Sequence, residues 1–551
     1  MLKVSAHDAA LALLATSLVF VVLFWRLGTP TFWDPDEAHY AETSREMIAA
    51  GDWSAPFYNE QPFFDKPVLF HQLQAAAMNL VPDPEAGARL VPAVAALGLL
   101  AITVWFGTVM VSRDVGIVAG LMLGACPGVF GLARYAILDT LFTMFMFGGA
   151  SCLAVAALRG RTALQYVGYV GIALGVQTKG PIALVLCGLT MLILIVCSTD
   201  LRRRLLALHW AWGLAIIAAL SAPWFTYMYV RFKDGFVNGY ILDENVRLFA
   251  ASRFANQPGY GFYVQILAGT LLPWTGLLIG RLIDDARAFR RDGRLDGVEA
   301  MLWAWTLAVV GFFTLSTFKL DHYVFPAAPS LCLLCARAWS DLRTDHQSDR
   351  HRFSRLGFYL IGPLLLAIGA ACAYFLSARL ALPTGALVVP AALTLTGAVV
   401  TVGSILRRAR PPRVPWLVTG ALLATYAGLI LFVLPAFEAQ KVVPDVAQWV
   451  AARAQPLDRV ASFRLNRWNP AYRFYVGRHT TFLEDPAEAA AFFGAPEPFY
   501  CVMRREEFDA FVARGVPLTV RYEREGLWAT SGRALWRTRA PLARFVVVSA
   551  P

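Results

Sequence analysis

The chain has 551 residues, 57% of them hydrophobic and only 16% charged, and its mean hydropathy of +0.53 excludes an ordinary soluble enzyme in favour of a polytopic membrane protein. The formal net charge of +11 resides largely in arginine clusters between apolar runs. Positive-inside topology and anionic lipid headgroups explain these, so no nucleic-acid partner is expected. Apart from Cys501, the eight cysteines lie within or beside apolar segments and read as small buried apolar residues. Neither a disulfide framework nor a zinc site is expected from them, the Cys332/Cys335 pair included.

The first apolar run, Ala9 to Trp25, shows no small-residue cleavage site and is expected to remain as a helix. Directly after it comes Phe32-Trp33-Asp34-Pro35-Asp36-Glu37-Ala38-His39-Tyr40-Ala41-Glu42. Here Asp34 is expected to cap a helix, with Pro35 at its first position and Glu37 completing a capping box. Asp36 then suits the positive end of the helix dipole. Tyr40, Ser44, Met47 and Ile48 would share one face of that helix, which should lie along the membrane interface. Gly51-Asp52-Trp53 breaks it, and the aromatic-rich stretch Phe57 to Pro67 brings the chain back.

About 13 segments are apolar and long enough to span a bilayer of ordinary thickness: 9–27, 86–111, 115–133, 139–158, 163–178, 181–198, 209–229, 263–280, 298–316, 322–340, 357–378, 383–406 and 414–436. Alternate connections carry the arginines, among them Arg202, Arg203 and Arg204, Arg287, Arg290 and Arg291, and Arg407, Arg408, Arg410 and Arg413, and should be cytoplasmic. The other set comprises the long loop 28–85, the turns 134–138 and 179–180, the loop 230–262, the turn 317–321 and the C-terminal segment. These should face an outer compartment.

Past residue 437 the charges become denser and the apolar runs shorter. Strands are expected at Arg459–Phe463, Thr480–Leu483, Phe499–Met503 and Leu518–Tyr522, with helices near Asp445–Ala454, Pro470–Val476, Pro486–Phe493 and Glu506–Arg514. The domains are thus expected to be a membrane part, 1–436, and a small soluble α/β domain, 437–551.

Ionisable groups near membrane depth are costly unless used. The acidic opening stretch, Lys66, Asp139, Lys179, Arg247 and Lys319 all fall on the outer set of connections. Each alone has a plainer account: Asp139 as a helix cap paired with Arg134, the lysines as snorkelling side chains. Together, carboxylates and cations at one face suit an anionic ligand whose other part is cationic or hydroxylated. A lipid-linked phosphosugar meets that description, with Lys66, Lys179 or Arg247 on its phosphate. The chain has no GxGxxG after a strand, no Walker loop, no HExxH and no GxSxG. Of its histidines, His39 and His322 are the site candidates.

These residues resemble a known family. Trp33 to Glu42, followed by Arg45-Glu46-Met47 and Gly51-Asp52-Trp53, is similar to the first periplasmic loop of the aminoarabinose transferases that modify lipid A, which stand with the protein O-mannosyltransferases in the GT-C superfamily of membrane glycosyltransferases. Phe64-Asp65-Lys66-Pro67 resembles that family's Tyr-Phe-Glu-Lys-Pro, with Asp65 in place of Glu. Arg89-Leu90-Val91-Pro92, Asp139, Thr178-Lys179-Gly180-Pro181 and Lys319-Leu320 before His322-Tyr323 also fall where the family has related segments.

The resemblance implies a GT-C fold with amphipathic periplasmic loop helices and a C-terminal α/β domain, in the bacterial inner membrane with its active site facing the periplasm. It implies transfer of 4-amino-4-deoxy-L-arabinose from undecaprenyl phosphate to lipid A phosphates, which would protect against polymyxin and other cationic peptides. Asp36 would be the principal carboxylate with Glu37 beside it, Asp139 the second acid and Lys66 a phosphate-binding lysine. Arg247 and Tyr323 would touch phosphate or sugar. Beside what the resemblance implies, Asp65, Arg134, Lys319 and His322 are taken from their place on the outer connections as possible substrate contacts. No cofactor is expected beyond the lipid donor, divalent-metal binding is left open, and a monomer is expected.

The acceptor phosphate is already anionic, so orientation and charge stabilisation matter more than a general base, and direct inverting displacement is the simpler scheme. A protein O-mannosyltransferase using a polyprenyl phosphomannose is the alternative, in which a hydroxyl acceptor makes Asp36 or Glu37 a general base. A secondary transporter is a second alternative, although the charges gather at segment ends rather than at the midplane.

Overall fold

The computed structural model describes residues 6–250, 258–345, 348–379, 383–406, 413–465, 470–528 and 542–551; Arg407, Arg408 and Arg410 lie outside them. The chain divides into two compact units, one of Met1–Leu27, Phe64–Phe70 and Arg89–Val433, the other of Gly28–Phe63, His71–Ala88 and Leu434–Pro551.

The first unit is helical. Among the described residues seven helices are long and apolar enough to cross a membrane, and Arg113–Gly124 with Pro127–Ala133 makes an eighth if that bent pair is one span. The expected span 115–133 is therefore bent, by 63°, at a break where Pro127 can donate no backbone hydrogen bond. The other five expected segments are helical but short or interrupted. Leu164–Lys179 and Ile182–Cys197 are 16 residues each. The segment 263–280 divides into Phe262–Thr270 and Thr275–Asp292 around Pro273, and 322–340 opens as a tight 3-10 turn, Asp321–Ala327, before Ala328–Thr344. The first segment forms Ala6–Leu23.

At the ends the sequence assigns to the cytoplasm, these helices are tied by a buried knot of charge. Arg281, 4% exposed, donates to Asp285 at 3.0 Å, to Asp341 at 2.5 Å and to Glu299. Arg337 reaches Glu299 at 3.1 Å and Asp296 at 3.0 Å. Asp284 accepts the backbone N–H of Ser354 at 2.7 Å, anchoring the helix Arg352–Tyr359. Every guanidinium edge of Arg281 has a carboxylate, the arrangement its planar fork favours.

In the second unit the chain forms a hairpin, β1 (Phe57–Tyr58) and β2 (Gln61–Pro62), whose turn residues Asn59 and Glu60 have φ of 54° and 66°. Two successive left-handed residues give the turn whose twist matches paired strands. Five more strands build one sheet: β3 (Arg459–Phe463), β4 (Thr481–Leu483), β5 (Phe499–Arg504), β6 (Thr519–Gly526) and β7 (Ala543–Ser549), in the order β4-β3-β5-β7-β6. The first three are parallel, joined through Pro470–Val476 and Pro486–Gly494, and β7 pairs antiparallel with both β5 and β6. Phe463, Phe493, Phe499, Met503 and Phe511 pack into its core. The four expected strands are present, while β7 was not foreseen.

Candidate active site

Asp139 is the first residue of the helix Asp139–Arg159 and Lys179 the last of the helix Leu164–Lys179. The first helix stops at Gly160, in the left-handed conformation, and a short turn returns the chain. The helices cross where both are stripped to glycine: a Cβ on Gly149 would stand 2.9 Å from the Gly168 carbonyl oxygen. Asp139 and Lys179 lie about equally far along their helices from this crossing, so the N-terminus of one meets the C-terminus of the other. Each helix dipole favours the charge it presents.

The consequence is a buried ion pair between Asp139 Oδ1 and Lys179 Nζ, with the side chains 4% and 7% exposed. Asp139 was expected to cap its helix with Arg134 as counter-ion. Instead Leu138 occupies the cap position, the Asp139 carboxylate faces Lys179 and His322, and Arg134 donates to the Arg26 carbonyl at 2.9 Å. The His322 Nε2 atom lies 3.6 Å from Asp139 Oδ2, and its Nδ1 lies 3.2 Å from Asp321. The Tyr323 ring sits beneath Lys179 Nζ, 4.4 Å from its centroid. Gly180 fixes the lysine end: its φ is +92°, and a Cβ there would meet the Tyr240 hydroxyl at 2.1 Å.

A second lysine stands nearby. Lys66 is close enough to Lys179 for their charges to repel, and it is opposed by Glu244 at 3.4 Å while donating to the Asp65 carbonyl at 2.8 Å. Glu244 comes from the wide helical turn Val237–Arg247, and its pairing with Lys66 was not anticipated. Arg247, in the same turn, is 63% exposed and engages Asp243 one turn away at 2.6 Å. Lys319 is buried, donating to the Ser316 carbonyl at 2.5 Å with the Tyr260 ring 5.9 Å away. The first unit thus gathers Asp139, Lys179, His322, Tyr323 and Lys66, and places Arg247 at its surface.

Asp36 and Glu37 belong to the second unit, at the start of the helix Asp36–Ala50. The capping expectation is corrected here. Pro35 takes the cap position and no side chain caps the helix; Asp34 Oδ1 instead accepts the N–H of Ala471, at the start of Pro470–Val476, at 2.8 Å. Burial pushes the Asp34 carboxyl up to about 7, although the Ala471 N–H and Lys441 oppose the rise. Glu37 does reach back, accepting the Trp33 N–H at 3.0 Å. Asp36 is half-buried. Among the described residues no three His, Cys, Asp or Glu side chains converge as a metal ligand set.

Comparison with known proteins gives this geometry a context. Residues 13–236 match the family described as dolichyl-phosphate-mannose-protein mannosyltransferase. The undecaprenyl phosphate-alpha-4-amino-4-deoxy-L-arabinose arabinosyl transferase of Aeromonas salmonicida is 30% identical over 64% of this chain and 65% of its own length. The enzyme of the same name from Yersinia pestis is 29% identical over 66% of this chain and 64% of its own. The chain therefore spans just under two thirds of the length of the curated relatives it matches. Among solved structures, ArnT from Cupriavidus metallidurans bound to undecaprenyl phosphate superposes with a TM-score of 0.74, covering 99% of this chain and 98% of that one at 21% identity.

Fold and sequence together define a multi-pass helical membrane protein with a C-terminal sheet domain, sharing its fold with the Cupriavidus metallidurans structure. Within that class the sequence is similar, over 64–66% of its length, to the undecaprenyl phosphate-aminoarabinose arabinosyltransferases of Aeromonas salmonicida and Yersinia pestis.

Proposed function

We propose that this protein is a lipid-to-lipid glycosyltransferase, moving 4-amino-4-deoxy-L-arabinose from undecaprenyl phosphate to lipid A phosphates at the periplasmic face of the inner membrane. The observation that carries the reading is a pair of lysines in the helical unit, Lys179 buried and Lys66 half-buried, opposed by Asp139 and Glu244 respectively. A lysine is a compact point charge whose flexible stem lets it exchange one oxyanion for another. A lipid phosphate replacing Glu244 on Lys66 keeps that cation paired, and Lys66 then stabilises the charge growing on the departing phosphate.

Asp139, held by Lys179 and His322, presents fixed negative charge for the sugar's amine, its hydroxyls and the positive character developing at the anomeric carbon. Tyr323 orients Lys179 through its ring face. In the second unit, Asp36 is the carboxylate assigned to the sugar, with Glu37 steadying the turn before it. Because the acceptor phosphate is already ionised, no residue has to take its proton. Displacement is direct and inverting, requires no metal, and leaves undecaprenyl phosphate as the by-product. The product lipid carries a new amine, which weakens its attraction for polymyxin and related cationic peptides.

The match of residues 13–236 to the mannosyltransferase family favours a second reading, transfer of mannose from a polyprenyl phosphate to a protein hydroxyl. Purified protein incubated with each lipid donor separates the two. Aminoarabinose appearing on lipid A, detected by mass spectrometry, supports the first; mannose on a peptide with unmodified lipid A replaces it with the second.

A further inference from the structure

The helix that presents Asp36 is gripped on both sides by residues from beyond position 434, all within the second unit. Just before the helix, Glu438 accepts the hydroxyl and the N–H of Thr31 at 2.7 and 3.2 Å. Lys441, 3% exposed, donates to the carbonyls of Thr31 and Phe32 at 2.6 and 3.3 Å and lies 3.8 Å from the centre of the Trp33 ring. Tyr475 accepts the Phe32 N–H at 2.8 Å and donates to Glu85 at 2.6 Å.

Further along the helix, Glu42 and Glu46 project one turn apart toward Arg473. That guanidinium is 2% exposed and stands 2.8 Å from each carboxylate, while a third N–H goes to the Arg478 carbonyl at 2.9 Å. Glu42 is fully buried and has Arg45 as a second partner at 2.7 Å. Burial raises the Glu42 carboxyl despite both cations, whereas Glu46, with the N–H groups of Asn59 and Glu60 added, is lowered. Buried charges of this kind hold direction more than they add stability, because each is costly unless its geometry is kept.

We propose that Arg473, Lys441 and Tyr475 are positioning residues for the glycosyl transfer: the C-terminal segment sets the direction of the helix Asp36–Ala50 and so the placement of the Asp36 carboxylate. This rests on the reading that Asp36 acts on the sugar. A carboxylate displaced by about 1 Å costs on the order of a hundredfold in rate, whereas lipid held by Lys66 and Lys179 is unaffected by Arg473.

The test uses the full chain reconstituted in liposomes, with Arg473→Lys, which keeps the charge and loses the fork, and Tyr475→Phe, which keeps shape and charge. The expected result is a kcat reduced about tenfold or more in Arg473→Lys and severalfold in Tyr475→Phe. The donor KM and the affinity for undecaprenyl phosphate, used as the binding probe, should stay within twofold. Full kcat in both variants overturns the proposal. A loss of kcat and lipid affinity in proportion to the folded fraction also overturns it, since that marks a merely structural role. Asp36→Asn is run alongside: if it is fully active, the reading of Asp36 fails, whereas an inactive Asp36→Asn beside fully active Arg473→Lys rejects the positioning role alone.

Discussion

Two buried charge clusters in the helical unit behave as opposites. At the ends assigned to the cytoplasm, Arg281 meets Asp285, Asp341 and Glu299 at once, a rigid fork with every edge filled. At the other ends, Lys66 and Lys179 meet one carboxylate each among the described residues, with His322 and Tyr323 beside Lys179 and Asp139. The arginine knot leaves nothing for a ligand to take over. Lys66 can trade Glu244 for a phosphate and remain a paired cation, so burial and ion pairing alone do not distinguish a brace from a candidate site. The type of cation and the number of its partners do.

Breaking the brace should have the largest effect. Arg281→Met leaves Asp285 buried without its cation and Glu299 with Arg337 alone, and is expected to cost about 3–5 kcal/mol, read as a lower melting temperature or loss of folded protein in detergent. An unchanged melt would place the knot among the inert surface pairs. Asp139→Asn should fall mainly on activity, with kcat down by about a hundredfold or more and a smaller stability loss, because Lys179 retains the face of Tyr323. If its melting temperature falls as far as that of Arg281→Met while kcat is preserved, the contrast fails.

The second unit offers a third case, a carboxyl buried beside a lysine yet left with one unpartnered oxygen among the described residues, Asp34 Oδ2. Its carboxyl is raised to about 7, so the folded state binds the proton more tightly than the unfolded chain. Stability from this group is therefore complete below about pH 4 and lost as pH rises through 7, amounting to roughly 2 kcal/mol between pH 5 and 7. Asp34→Asn should flatten that dependence in urea titrations; an equally steep curve in the variant assigns the slope to other groups.

Glu244→Gln sharpens the exchange idea. With its competitor neutralised, Lys66 should bind undecaprenyl phosphate a few-fold more tightly, on the order of 1 kcal/mol; weaker binding would show that Glu244 orients the lysine rather than competing for it. The smallest effect is expected from chelation: if Lys66 and Lys179 carry the phosphate charge, EDTA leaves the rate within about twofold, and a rate abolished by EDTA and restored by a divalent cation contradicts the metal-free scheme.

Local features were legible and distant partners were not. The strands β3 and β5 and the helix Pro470–Val476 could be placed nearly to the residue, because alternating β-branched and aromatic residues between Pro and Gly breaks mark them in a few residues of sequence. Strand β7 escaped because Phe545, Val546, Val547 and Val548 are all buried between two neighbours, which erases the two-residue period. Asp139, Lys179 and His322 could be assigned to one side from the alternation of arginine-bearing connections. Their pairing needed the glycine crossing at Gly149 and Gly168, and the Lys66–Glu244 pair spans too much sequence for any local signal. Asp34 misled for the same reason: a cap lies three residues away, whereas its real partner, Ala471, lies 437 away.

That separation has a consequence for how the protein is made. Thr31 and its partner Glu438 are 407 positions apart. Synthesis at about 5–20 residues per second puts on the order of 20–80 s between them. Throughout that interval the acidic first-loop helix is already delivered while the groups that will receive Glu42 and Asp34 do not yet exist. The acidic first-loop helix is therefore secured last although it is translated first, and a ribosome stalled among the later membrane segments would leave an inserted chain with that helix unguided.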